Sequence, residues 1–415
     1  MLHYYIGRQP IYDSKLSVIG YELLYRSHDT QSANPQDQDG DAATSEVLYN
    51  SFMEIGLNEL VGRHKAFVNL TRNFILNNTL IPPVNERLVL EILEDIEVDE
   101  EIVRGIALLK EKGYVIALDD FIYHEKMLPL IRLADIIKID ILAISREELR
   151  EYVTSLRTFS VQLLAEKVET YEEFETCKSL GFDYYQGFFL SRPKTLKGRR
   201  IPVNHLSTLQ MLAKLQDPNI AIKELEQLIS QDITLSYRLL HYINSAAFSL
   251  RNKIESIHHA IVFLGLNEIK NWASLMALTK VDDKPNELFV TALIRAKMCE
   301  LFADHSGAGN KGTAFITGLF SSLETIMDAP MEKLLESIPV AVEISEALLN
   351  QEGVYAEILQ LALAYERGQW EEIQCPEEYR HILPDLYREA VKWSMDAEQL
   401  LAGGANQAPR QARLK

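Results

Sequence analysis

The sequence predicts an α/β chain, with a (β/α) barrel over its first half and an all-helical domain over its second. Two observations predict the barrel. Apolar runs of strand type, Ala66-Phe67-Val68, Leu88-Val89-Leu90, Val115-Ile116-Ala117-Leu118, Ile136-Ile137 and Val161-Gln162-Leu163-Leu164, recur with a helix-length stretch between each and the next. Near the end of one run after another stands a carboxylate, an amide or a lysine: Glu22, Asn69, Glu91, the pair Asp119-Asp120, Lys138, Glu166 and Gln186. At the carboxyl ends of barrel strands such groups converge on one rim, whereas scattered through a core they would be unpaired charges in a low dielectric. A third observation predicts the second domain: after the proline-containing stretch near residue 203, strand signals nearly vanish and helical periodicity takes over.

The elements follow in order. Amphipathic patterns over residues 43–62, 99–113, 125–133, 146–156 and 171–181 supply the barrel helices, and several end in the glycine that closes a helix. Residues 30–41, rich in Asn, Gln, Asp, Ser and Pro, read as an exposed loop after the first site-bearing strand. Residues 191–203, with Arg199-Arg200 at their middle, read as a solvated basic link rather than a phosphate site. Helical periodicity then runs over 207–215, 222–229, 234–243, 257–264, 267–278 and 288–302, with Gly265 ending one helix and Asn267 placed to cap the next. The expected division is a barrel over residues 1–203, a helical domain over 204–402 and a disordered tail over 403–415, too polar to bury an ordered core.

Bulk properties narrow the function. A chain of 415 residues is long for one core and suits two domains of about 200 residues each. No apolar stretch approaches the roughly 20 residues that span a bilayer, and the first residues lack a basic region followed by an apolar one, so a cytoplasmic protein without membrane attachment is expected. Cys177, Cys299 and Cys375 are too far apart in sequence for a CxxC zinc site and read as reduced thiols. A formal charge of −18 argues against nucleic-acid polymers as partners, because their affinity rests on Lys and Arg contacts to phosphate. Any phosphate ligand would need metal ions for much of its attraction.

Asp119-Asp120 carries the strongest chemical implication. Neighbours within a strand point to opposite faces, but at its end the chain turns, so both carboxylates can reach one ion pair. Carboxylates this close repel unless a cation lies between them. With Glu22, Glu91, Glu166 and the amide of Asn69 at the same rim, the donor set is hard oxygen, suited to Mg²⁺ or Mn²⁺ rather than zinc. Two such ions about 3.5–4 Å apart form the clamp that hydrolyses phosphodiesters. Lys138 would add positive charge near the nucleophile or the developing phosphorane. Two structural roles compete residue by residue: Asn69 as the cap of a helix starting near Thr71, and Lys138 as the simple partner of Asp140.

These residues sit in a recognisable order. Tyr21-Glu22-Leu23-Leu24-Tyr25-Arg26, Val68-Asn69-Leu70-Thr71, Leu90-Glu91-Ile92-Leu93-Glu94, Leu118-Asp119-Asp120-Phe121, Lys138-Ile139-Asp140, Ala165-Glu166-Lys167-Val168-Glu169 and Gln186-Gly187-Phe188-Phe189 resemble the signature of EAL domains over nearly the whole first domain. The resemblance implies a modified TIM barrel that linearises cyclic di-GMP to pGpG with two Mg²⁺ or Mn²⁺ ions. It implies that Glu22, Asn69, Glu91, Asp119, Asp120 and Glu166 hold the metals, that Lys138, Glu166 and Gln186 serve catalysis, and that Arg26 contacts a ligand phosphate. It further implies that the loop with Phe121 and Ile122 supports the metal site, and that Glu94 takes part in a homodimer. The sequence departs from the family in three places. Glu-Ala-Leu reads Glu22-Leu23-Leu24, a change of packing only. A glycine after the metal ligand is replaced by Lys167. The glycine-bearing loop after Asp-Asp-Phe reads Ile122-Tyr123-His124-Glu125-Lys126, where a β-branched Ile122 resists the φ > 0 that glycine allows.

The second domain resembles HDOD domains, helical relatives of the HD phosphohydrolases, on residues 231–240, Asn244-Ser245-Ala246-Ala247-Phe248 and residues 257–266. Where an HD enzyme carries its metal-binding His-Asp pair, the matching place here, Gly318-Leu319-Phe320-Ser321-Ser322-Leu323, has two serines, so a non-catalytic domain that engages an unidentified signalling protein is implied. His258-His259, adjacent on a helix, diverge by about 100° and cannot chelate together; one packed and one exposed histidine is the expectation. Asp304-His305 reads as part of a turn, and Met276, Met298 and Trp272 as core. Two functional readings follow: a phosphodiesterase that is slow or conditionally active, favoured by the intact ligand set, or an inactive cyclic di-GMP-binding effector or adaptor, favoured by the rebuilt loop.

Overall fold

The computed structural model describes residues 4–27, 57–77, 81, 86–121, 127–191, 205–244, 254–279 and 284–403. The expected loop at 30–41, most of the helix expected at 43–62, Ile122 with the rest of its loop, nearly all of the link at 191–203 and the tail after 403 lie outside the described residues. Eight strands, β1 (Tyr4–Asp13), β2 (Val18–Ser27), β3 (Lys65–Leu70), β4 (Leu88–Ile92), β5 (Val115–Leu118), β6 (Ile136–Asp140), β7 (Gln162–Glu166) and β8 (Tyr184–Gln186), close into a barrel in sequence order. From β2 to β8 the neighbours are parallel, as a βα repeat requires. β1 is the exception and runs antiparallel to both β2 and β8. Residues 14–17 are too short for a parallel crossover, and Asp13 Oδ1 closes the hairpin by accepting from the backbone N–H of Lys15 at 2.8 Å and of Ser17 at 2.9 Å.

Strand alternation writes the two faces of the barrel. Ile11, Phe67, Val89, Ala117, Ile136 and Leu164 form one buried cluster that fills the barrel interior. Phe67 fills it so closely that a Cβ on Gly20 would lie 2.7 Å from its ring, so the strand carrying Glu22 needs glycine there. The opposite parity, including Val68, Leu90, Ile116, Ile137 and Leu163, packs outward in one cluster with Ile102 and Ile106 of α3 (Glu100–Glu111), Val153 of α5 (Arg146–Leu156) and Phe174 of α6 (Tyr171–Leu180). Each such side chain contributes about 1.5–3 kcal/mol by leaving water. Shorter helices α1 (Leu57–Val61), α2 (Arg72–Leu76) and α4 (Leu128–Ile131) complete the described set. Local chemistry sets the helix starts: Asp99 accepts from Ile102 N–H, and Ser145 and Thr170 each form a reciprocal capping box with the glutamate three residues on.

The chain divides into two compact units, one of residues 1–192 with Tyr365–Glu371, the other of residues 193–364 with 372–415. In the first, the Tyr365 hydroxyl donates to Ile6 O at 3.4 Å. Among the described residues the second unit is all helix. It runs through α7 (Leu206–Gln216), α8 (Ile222–Ser230), α9 (Ile233–Ile243), α10 (Ile257–Leu264), α11 (Leu266–Leu278), α12 (Asn286–Ser306) and α13 (Lys311–Phe320), and ends in α14 (Leu383–Gly403) after several shorter helices. Trp272, Met276 and Met298 are buried as expected. Three expectations are corrected. Gly265 itself takes the N-cap position of α11 and Asn267 lies within its first turn. His258 and His259 are both exposed, with His258 Nδ1 3.1 Å from Glu226. Asp304-His305 occupies the last turn of α12, which ends one residue later at Ser306 and is capped by a left-handed Gly307. Among the described residues no helix is long and apolar enough to cross a membrane.

Candidate active site

The site lies one pleat beyond the apolar filling of the barrel. Two residues after Gly20, Phe67, Val89, Ala117, Ile136, Leu164 and Tyr184 come Glu22, Asn69, Glu91, Asp119, Lys138, Glu166 and Gln186, so the period of two that fills the interior also carries each polar group to the same face. Register sets Asn69 opposite Glu91, whereas Glu22 stands opposite Phe67, Glu91 opposite Ala117 and Lys138 opposite Leu164, so the polar groups step around the rim with the stagger of the barrel.

Lys138 is the hub. Its fully buried Nζ lies 2.6 Å from Asp119 Oδ1, 2.8 Å from Glu91 Oε1, 3.0 Å from Glu166 Oε1 and 3.3 Å from Glu22 Oε2. Asp140 takes a different cation, so the simple Lys138–Asp140 pair does not form. Gln186 Nε2 donates to Glu22 Oε2 at 2.6 Å and to Gln9 Oε1 at 3.1 Å. Thr71, not Asn69, holds the N-cap position of α2.

Four carboxylates around one ammonium leave the cluster short of positive charge. Burial, reinforced by Glu22 and Asp119 and only partly offset by Lys138, pushes Glu91 well above the usual carboxylate range. Burial likewise pushes Glu166 up to about 8, against the opposing pull of Lys138. Burial alone would favour neutral Lys138, but the summed field of Glu22, Glu91, Glu166 and Asp119 outweighs it and holds the ammonium charged well above the ordinary lysine range. Among the described residues, Glu91 Oε2, Glu166 Oε2 and Gln186 Oε1 are buried acceptors with no hydrogen-bond donor.

Asp119 and Asp120 face different lysines. β5 ends at Leu118, Asp120 adopts φ 39°, and the turn separates the two side chains. Asp119 faces Lys138, whereas Asp120 stands 3.4 Å from Lys167 Nζ, which also holds Asp140 at 2.6 Å. Phe121 is buried and its N–H donates to Lys138 O, tying the turn to β6. Glu94 is exposed and lines a cavity of about 580 Å³ with Asp120, Phe121, Asp140 and Tyr152. Arg26 pairs with Tyr5 in the β1–β2 ladder, and its side chain lies outside the described residues. Sequence reading overlooked Gln9, which the hairpin register sets opposite Glu22, and the Lys167–Asp140 pair; Asp140 carries the signal of standing two residues beyond Lys138 on the same strand.

Past Gln186 the chain turns at Gly187, φ 146°, where a Cβ would meet Val168 O at 2.1 Å. Only glycine lets the backbone following Glu166 come this near to β8. In the helical unit, Ser321 and Ser322 accept from Arg295 Nη1 at 2.8 and 3.0 Å, so both hydroxyls serve a buried guanidinium.

The donor set of the barrel fits a hard divalent ion in chemistry: clustered carboxylate and amide oxygens, several of them buried acceptors without a donor. As they stand, no three His, Cys, Asp or Glu side chains among the described residues are grouped to hold an ion by themselves, and the Lys138 ammonium lies within ion-pair distance of Glu22, Glu91, Asp119 and Glu166.

Comparison with known proteins agrees with this architecture. The EAL domain pattern matches residues 8–193 and the HDOD domain pattern residues 201–360. The chain is 32% identical to "Cyclic di-GMP phosphodiesterase CdgJ" of Vibrio cholerae over 96% of its own length and 94% of that protein's. It is 33% identical to the "Uncharacterized protein YuxH" of Bacillus subtilis over 95% of its own length and 99% of that protein's. A crystal structure of an EAL domain protein from Listeria monocytogenes aligns with 46% of this chain and 88% of its own at 23% identity and a TM-score of 0.37. The closed barrel, the helical second unit and the near full-length relatives at this identity establish that the chain belongs to the family in which an EAL domain is followed by an HDOD domain.

Proposed function

We propose that the barrel binds cyclic di-GMP and linearises it slowly or conditionally to pGpG, and that the helical domain is a non-catalytic module that engages a protein partner. The observation that carries this reading is the buried ring of Glu22, Glu91, Asp119 and Glu166 around Lys138, with acceptors of Glu91, Glu166 and Gln186 left over. The near full-length kinship to CdgJ, a protein named a cyclic di-GMP phosphodiesterase, supports the choice of substrate.

In this reading Glu22, Asn69, Glu91, Asp119, Asp120 and Glu166 are the candidate holders of Mg²⁺ or Mn²⁺. Divalent ions bound there would screen the phosphodiester charge and lower the pKa of an attacking water. The chain's own residues do the rest. Lys138 keeps its proton and stabilises negative charge growing on the phosphoryl oxygens. Gln186 orients Glu22, and with it the water position, while Arg26 meets a ligand phosphate. Glu94 and a homodimer belong to the same proposal, as does a cytoplasmic location. Incubating the pure full-length protein with cyclic di-GMP and Mn²⁺ and following pGpG by chromatography tests it. Product that depends on Mn²⁺ and on Glu22 is expected; binding without product would make the protein an effector.

A further inference from the structure

We propose that Lys167 is a tethered stand-in for a second divalent ion, so that this barrel takes up one ion where the donor set around Asp119 and Asp120 would otherwise take two. The inference rests on the reading of the rim as a metal site and deepens it. Lys167 Nζ lies 2.6 Å from Asp140 Oδ2 and 3.4 and 3.5 Å from the two oxygens of Asp120. It therefore engages both oxygens of Asp120, the candidate carboxylate that the Lys138 ion pairs leave out.

An ordinary surface ion pair is the competing explanation, and three features count against it. Lys167 follows Glu166 directly, and the β6–β7 register puts Glu166 opposite Asp140, so the ammonium is delivered to the rim by the strands themselves. Lys167 adopts φ 57° and Asp120 φ 39°, left-handed conformations uncommon for non-glycine residues, on the two sides of the same ion pair. The two carboxylates also converge on a single nitrogen although both stand in a strongly acidic rim, where an unneutralised pair would repel.

The consequence is competition. A side chain tethered one residue from Glu166 acts at an effective concentration in the millimolar range or above. An ion shared between Asp119 and Asp120 must displace it from solution. Lys167 supplies one positive charge where a divalent ion would supply two, and it offers no site for a water. Asp120 is thereby withdrawn from the donor set, leaving Glu22, Asn69, Glu91, Asp119 and Glu166 to hold one ion.

Counting Mn²⁺ per full-length chain by equilibrium dialysis with elemental analysis tests this without reference to turnover. One ion is expected for the wild type and two for both Lys167→Gly, which suits the left-handed backbone, and Lys167→Met, which keeps the length and removes the charge. Lys167→Arg should remain at one. Two ions in the wild type, bound no more weakly than in the variants, would overturn the role of Lys167 while leaving the metal reading intact. One ion in every protein would overturn it as well. No ion in any of them would remove the metal reading and this inference together.

Discussion

Gln186 Nε2 donates to Glu22 Oε2 at 2.6 Å, joining β8 to β2 over the antiparallel β1 whose Gln9 accepts from the same amide. The contact spans almost the entire barrel unit in sequence, and closure of the barrel alone brings it about. It fixes the orientation of a candidate metal ligand from behind. Gln186→Ala should therefore weaken Mn²⁺ binding by about 10- to 100-fold. Folding stability should fall by about 1.5–3 kcal/mol, the worth of a hydrogen bond to a charged group. Mn²⁺ titration beside thermal unfolding of the metal-free protein separates the two effects.

Lys138 is the common partner of Glu22, Glu91, Asp119 and Glu166. Lys138→Met keeps the volume and removes the charge, and should destabilise the metal-free barrel by about 3–5 kcal/mol at neutral pH. Urea unfolding measures this. A loss below about 1 kcal/mol would mean that the ammonium is not needed to offset carboxylate charge in the folded barrel.

The raised carboxyls set a pH dependence. Glu91 and Glu166 bind protons more tightly in the folded chain than in the unfolded one, so their contribution to stability is complete below the ordinary carboxylate value and is lost as pH rises, for Glu166 through about 8. The metal-free wild type should lose stability relative to Glu166→Gln across that window. Divalent ions bind the ionised forms, so Mn²⁺ affinity should rise with pH by up to about tenfold per unit for each proton displaced. Stability that climbs relative to Glu166→Gln over the same range would contradict the burial argument.

Ser321 and Ser322 are acceptors for buried Arg295, not idle hydroxyls. Replacing both with alanine should destabilise the helical unit by about 2–4 kcal/mol, since hydrogen bonds to a charged group are worth about 1.5–3 kcal/mol each and do not add fully. This exceeds the cost of roughly 1 kcal/mol that two neutral serines in a helical core would suggest. Metal content and any phosphodiesterase rate should stay at the wild-type level, read by elemental analysis and the pGpG assay.

The barrel and the gathering of its polar residues were legible in the amino-acid order because both rest on a period of two. Phe67 then Asn69, Val89 then Glu91, Ile136 then Lys138 and Leu164 then Glu166 repeat one instruction, an apolar filler followed one pleat later by a polar group, and a strand must obey it. In the helical domain Ser321 and Ser322 were legible only as identities, and the chain order did not show that they serve Arg295. Tertiary structure alone decided which cation each aspartate meets. Asp119 and Asp120 are adjacent in the chain, yet the left-handed turn at Asp120 gives one to Lys138 and the other to Lys167. It also decided that Gln9 stands behind Glu22 and that Tyr365–Glu371 joins the barrel unit. Such pairings depend on backbone dihedrals and barrel closure, which bring together residues that no local pattern connects, and electrostatics then follows distance in space rather than separation along the chain.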